Sequence, residues 1–130
     1  MRLFHCWLSK LAVSSRSRAL IEALVNPDAS VPFKKRLGRC YELAGRLATS
    51  NRKATLVHGS IQGFGKPRLD HAWVEVDGQV WEPASNQPWD RCVFDALFNP
   101  VEEQRYDHNA VLTKSLEHGT WGPWSGAEGR

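Results

Sequence analysis

At 130 residues, 42% hydrophobic and 24% charged, the chain has the length and composition of one folded domain with a core of its own. A formal net charge of +3, with no dense basic stripe interleaved with aromatics, argues against nucleic acid as a partner. No run approaches the ~18 apolar residues of a membrane span, and His5 and Lys10 interrupt the apolar stretch that a signal peptide needs.

Residues 1–30 read as a helical N-terminal segment. Leu3, Phe4, Trp7, Leu8 and Leu11, then Ala19, Leu20, Ala23 and Leu24, keep helical spacing, with a break at Ser14-Ser15. Asn26-Pro27-Asp28 ends that segment and Val31-Pro32 opens an extended linker. A further helix is predicted over 38–50, with Cys40, Leu43, Ala44, Leu47 and Ala48 as its apolar stripe.

Residues 55–61 read as a strand, closed by the glycines at 63 and 65. Residues 71–83 form a hairpin about Asp77-Gly78, a strong two-residue turn signal. Asn86-Gln87-Pro88 breaks the strand pattern. One or two helical turns over 90–98 end at Asn99-Pro100, and 101–106 supplies another strand.

Asp107 is placed to cap a helix that runs through His118 and stops at Gly119. The tail 120–124, with Trp121 and Trp124, packs back on the body, and 125–130 is expected to be disordered. The whole is therefore a single α+β domain over 1–130. Its core spans 36–106, a cysteine-bearing helix on a small antiparallel sheet, and its C-terminal helix and Trp-rich tail span 107–124.

Cys6, Cys40 and Cys92 fit neither a disulfide framework nor a CxxC site, so reduced thiols in a cytoplasm are expected, with no metal and no cofactor. His5 beside Cys6 is a bare metal hint. His108 and His118 are not spaced as an i, i+4 ligand pair, and His58 reads as a structural or solvated strand residue. Cys92 sits in a short apolar stretch that buries it.

Three residues carry possible chemistry. With Gly38 as N-cap, Cys40 lies in the first helical turn, where unpaired N–H groups and the helix dipole favour a thiolate and Arg39 adds positive charge. The competing reading makes Cys40 a small apolar member of the core stripe. A two-residue loop at 77–78 pairs Val76 with Gln79 and Val74 with Trp81, and by extension Trp73 with Glu82 and His71 with Ala84.

One face then carries His71, Trp73, Glu75, Val80 and Glu82; the other carries Ala72, Val74, Val76 and Trp81 as a core face. His71 and Glu82 become diagonal neighbours, about 7–8 Å apart at the backbone and within side-chain reach. A carboxylate there fixes the imidazole tautomer and supports its protonated form. Each residue alone reads equally as a solvated strand position, and only their shared face sets them apart.

The order of a helix-start Cys40, then His71-Ala72-Trp73-Val74-Glu75-Val76 on a strand, then Glu82-Pro83 on the next strand, resembles the transglutaminase-like branch of the papain-like cysteine enzymes. The resemblance spans residues 36–86. It implies a papain-like arrangement with Cys40 as nucleophile, His71 as general base and acid, and Glu82 as the orienting carboxylate. Glu82 stands where that superfamily has Asp. The Gln that the papain branch places before the cysteine is missing from Lys34-Lys35-Arg36.

Asn86 is the alternative orienter of His71, and Trp73 a candidate wall of the site or ordinary sheet packing. Asp70 either tunes His71 or sits at the surface. The expected activity is acyl transfer from an amide or thioester carbonyl of a protein or peptide substrate, with water favoured over an amine as acceptor. A non-catalytic interaction module on the same fold is the alternative. The sequence leaves the oligomeric state open.

Overall fold

The computed structural model describes residues 38–63 and 65–124. The N-terminal helices and linker expected before residue 38, and the disorder expected at 125–130, lie outside the described residues. The elements run α1 (Cys40–Ser50), β1 (Thr55–Ile61), β2 (Leu69–Val76), β3 (Gln79–Glu82), β4 (Gln87–Asp90), α2 (Arg91–Phe98), β5 (Val101–Tyr106) and α3 (His108–His118). This is the α+β class expected, with helix α3 following the sheet. Among the described residues no helix is long and apolar enough to cross a membrane.

The five strands form one antiparallel sheet in the order β4-β3-β2-β1-β5. At the hairpin, Asp77 (φ 50°) and Gly78 (φ 77°) both occupy the left-handed region, so the loop is of the type whose twist matches the flanking strands. That turn fixes the register: Val76 opposes Gln79 and Val74 opposes Trp81, as the spacing predicts. The expected extension of the ladder does not occur. Glu82 instead pairs with Gln87 of β4, because residues 83–86 form a tight turn that sends the chain back along β3. Strand β4 is thus a real strand where Asn86-Gln87-Pro88 had read as a break.

Both faces of the sheet are covered. On one, Leu43, Ala44, Leu47 and Ala48 of α1 pack with Leu56, Ala72, Val74, Val76, Trp81, Tyr106, Val111 and Trp124. On the other, Val57, Trp73 and Val80 pack against Phe94 of α2. The face bearing His71 and Glu82 is therefore not an open polar face, because the amphipathic α2 folds back over it.

The C-terminal segment behaves as its sequence implies. Asp107 accepts from the Ala110 amide at 2.8 Å and caps α3, and Gly119 ends the helix. The tail then crosses α1. Trp121 lies so close to Gly45 that a Cβ there would stand 2.4 Å from its ring, and Trp124 is almost wholly buried.

Val76 faces this core at 3% exposure. Val76→Asp is expected to cost more than about 3 kcal/mol, because the site offers a carboxylate no partner. A urea midpoint unchanged from that of the unsubstituted protein would contradict this packing.

Candidate active site

Helix α1 begins at Arg39 as N-cap, one residue later than the sequence implied, so Cys40 is its first helical residue. The first helical bond runs from the Leu43 amide to the Arg39 carbonyl at 2.9 Å. Among the described residues the amides of Cys40, Tyr41 and Glu42 have no helical acceptor one turn back. Arg39 makes no side-chain cap. It forks onto Glu42 at 3.0 and 2.9 Å, and Arg46 joins the same carboxylate. The Glu42 carboxyl is consequently held below the usual range, first by the Arg39 hydrogen bond. The Arg39 guanidinium thus neutralises a carboxylate within its own helical turn.

The ladder between β2 and β3 covers only residues 74–76 of β2. His71 lies on the stretch beyond it, opposite Gly59 of β1. Here the ring hydrogen-bonds Glu82, and Cys40 of α1 lies near enough to act on the ring's pKa together with that carboxylate. His71 Nε2 stands 2.5 Å from Glu82 Oε1, which leaves Nδ1 as the ring nitrogen for the sulfur. Cys40 is a free thiol, 8% exposed, and His71 is 7% exposed. The sulfur is buried, as its place in the core stripe implied.

Glu82 is 1% exposed and its carboxylate is fully engaged. Oε1 accepts from His71 and from the Ala84 amide at 2.8 Å, and Oε2 accepts from the Ser85 amide at 2.6 Å. Burial alone would raise its pKa; the His71 bond and charge and the two amides outweigh that and hold it low. Burial likewise pulls His71 down, but the interactions with Cys40 and Glu82 outweigh it and lift the ring to about 9. A carboxylate held ionised beside an imidazole raised above neutrality makes the ring a cation at pH 7.

The remaining candidates are placed elsewhere. Asn86 accepts from the Trp81 indole at 3.2 Å and has φ 53°, so it braces the turn behind Glu82 and does not orient His71. Trp73 packs on Phe94 at 5.4 Å between ring centres. It lines a cavity of about 160 Å³ with Arg91, Asp95, Asn99, Pro100 and Glu102, a cavity that includes none of Cys40, His71 and Glu82. Asp70 is exposed; its charge acts on Tyr41, whose hydroxyl is pushed up to about 12, mainly by burial and then by Cys40, Asp70 and Glu103.

His108 is structural, its Nδ1 3.0 Å from the Ala48 carbonyl. Cys92 is half-buried and disulfide-bonded, contrary to the expectation of reduced thiols throughout. Among the described residues no group of three or more His, Cys, Asp or Glu side chains is arranged to hold a metal ion.

Two participants were missed: the amides of Ala84 and Ser85, which grip Glu82. Their signal was Glu82-Pro83-Ala84-Ser85-Asn86, a run of turn-forming residues that folds back on the carboxylate. Compared with known proteins, the chain matches no family model, no curated protein and no solved structure.

The pKa of His71 is raised above its unfolded value, so the stability it contributes is fully present below pH 6.5 and is lost as pH rises through about 9. Glu82→Gln removes the buried partner charge. It is expected to lower stability by about 3 kcal/mol at neutral pH and to flatten the decline toward alkaline pH. Urea midpoints from pH 6 to pH 9.5 read both effects, and an undiminished alkaline decline in the variant would refute the pairing.

Proposed function

We propose that this chain is a small cysteine-dependent acyl-transfer enzyme that hydrolyses an amide or thioester bond of a protein or peptide. The observation that carries the reading is the His71 ring bonded to a buried carboxylate and close enough to the free thiol of Cys40 for that residue to raise its pKa. Thiol, ring and acid in that sequence are the parts of an activated cysteine nucleophile.

In this reading the protonated His71 ring pairs with the thiolate form of Cys40, and the sulfur adds to the substrate carbonyl. Glu82 accepts from Nε2–H throughout and stabilises the imidazolium. The carbonyl oxygen, now anionic, points at the unpaired amides of the α1 start. Collapse expels the amine or thiol, which takes the proton from His71 and leaves the acyl group on Cys40. Water then attacks, giving its proton to the same ring, and the sulfur is expelled as thiolate, which restores the starting pair. The longer arm of Glu82 is accommodated because its carboxylate reaches back over its own turn, where Ala84 and Ser85 hold it.

The competing reading is an interaction module that keeps the pair as scaffold. One observation favours it: Glu82 ties the 83–86 turn as well as the ring, so the pair has a structural task of its own.

Alkylation of Cys40 by iodoacetamide at pH 6.5, followed by peptide-resolved mass spectrometry, separates the two. An unassisted thiol is only about 1% ionised there. His71→Ala is expected to slow labelling of Cys40 at least about tenfold, and Cys40→Ser is expected to abolish turnover of peptide amides and thioesters while keeping the fold. Equal labelling rates with and without His71 would leave the interaction module as the reading.

A further inference from the structure

His58 is the buried titratable group that this chemistry does not use. It lies on β1 opposite Ala72, 2% exposed, and neither ring nitrogen has a hydrogen-bond partner. Buried polar atoms nearly always find partners, so an imidazole with both nitrogens unsatisfied requires a reason. Three rings enclose it: Tyr41 of α1 at 4.8 Å, Tyr106 of β5 at 5.0 Å and Trp124 of the tail at 5.1 Å between centres.

The tail closes this box at a second point. A Cβ on Gly122 would stand 2.7 Å from His58 Cε1, and Gly122 has φ 109°, so only glycine lets the tail pass so close to the ring. Trp124 is held over the ring by its own bond, its indole donating to the Thr120 carbonyl at 3.0 Å. The tail is the wall without helix or strand of its own, whereas the other two rings belong to α1 and β5.

We propose that His58 and the tail 120–124 form an acid-sensitive latch, in which the neutral imidazole seats the tail and its protonation releases it. A protonated ring carries two N–H donors, and neither ring nitrogen has a hydrogen-bond partner as the box is packed. The π faces attract the cation but do not replace the lost hydration. The titratable groups facing it are Tyr41 on α1 and Tyr106 on β5, both phenols; β2 presents Ala72 and the tail presents Gly122 and Trp124. Among the described residues, burial is the cause that pushes its pKa down, to about 4.

The sign follows. A ring held neutral in the docked state and free to protonate in the released state stabilises docking above pH 6.5, and that stabilisation falls away as pH drops toward about 4. The ratio of released to docked tail is expected to rise about 20-fold between neutral pH and pH 5.

The test is a pH titration of the full chain labelled with ¹⁵N-tryptophan, from pH 7.5 to pH 4. The Trp124 indole cross-peak is assigned by its loss in Trp124→Phe. The expected result is that this cross-peak moves to a solvent-exposed position together with the His58 ring resonances, while the Trp73 and Trp81 cross-peaks stay. In His58→Phe, which fills the box without a titrating nitrogen, the Trp124 cross-peak should not move.

A Trp124 cross-peak that stays put, one that moves equally in His58→Phe, or six indoles that shift together would each overturn the latch. Should His58→Phe fail to fold, the wild-type comparison decides alone: His58 must titrate with the same midpoint as the Trp124 displacement. None of these readouts depends on turnover, so the latch and the proposed activity stand or fall separately.

Discussion

Glu82 is a carboxylate buried to 1% exposure, and the structure around it is arranged to make that tolerable. Removing such a group from water costs several kcal/mol unless nearly all its lone pairs are met. Three donors meet it: the His71 ring and the amides of Ala84 and Ser85. The two amides are available only if residues 83–86 turn back tightly, and that turn brings β4 alongside β3. Strand β4 in turn supplies Asp90, whose carboxylate takes the otherwise buried Gln79 amide at 2.8 Å. One buried charge thereby dictates the sheet's edge, and the same charge fixes the tautomer and raises the basicity of the ring near Cys40.

Two packing layers support this arrangement. Helix α1 delivers the sulfur because its apolar stripe must lie on Ala72, Val74 and Trp81, which places its first residue at the end of β2 that β3 leaves uncovered. Helix α2 closes the opposite face through Phe94 on Trp73 and Val80. On the far side of the same face an ion-pair cluster forms, with Glu75 bridging Arg91 at 2.9 Å and Arg105 at 2.8 Å. Both arginines are nearly half exposed, so this cluster adds little to stability compared with the buried pair.

Much of the secondary structure was legible because its signals are local. The i, i+3, i+4 stripe marked α1, Asp77-Gly78 marked the hairpin and its register, and Asp107 with Gly119 marked both ends of α3. Strand β4 was not legible: its four residues include Pro88, and its pairing with β3 depends on the turn behind Glu82 rather than on any preference of its own. The two-sided burial of β2 was hidden too, since Glu75 and His71 give it the alternation of a strand with one wet face.

The residues at the candidate site were named by the sequence, and their shared face followed from strand alternation, which depends only on a two-residue period. Whether the sulfur of α1 meets the ring of His71 depends on how a helix docks on a sheet, and no periodicity encodes that. Likewise the roles of Asn86 and His58 were decided in three dimensions. Asn86 is taken up by an indole from the neighbouring strand, and His58 is stripped of partners by rings from a helix, a strand and the tail. Local chemistry chose which groups are present; burial, a property of the whole packed chain, chose which of them are charged.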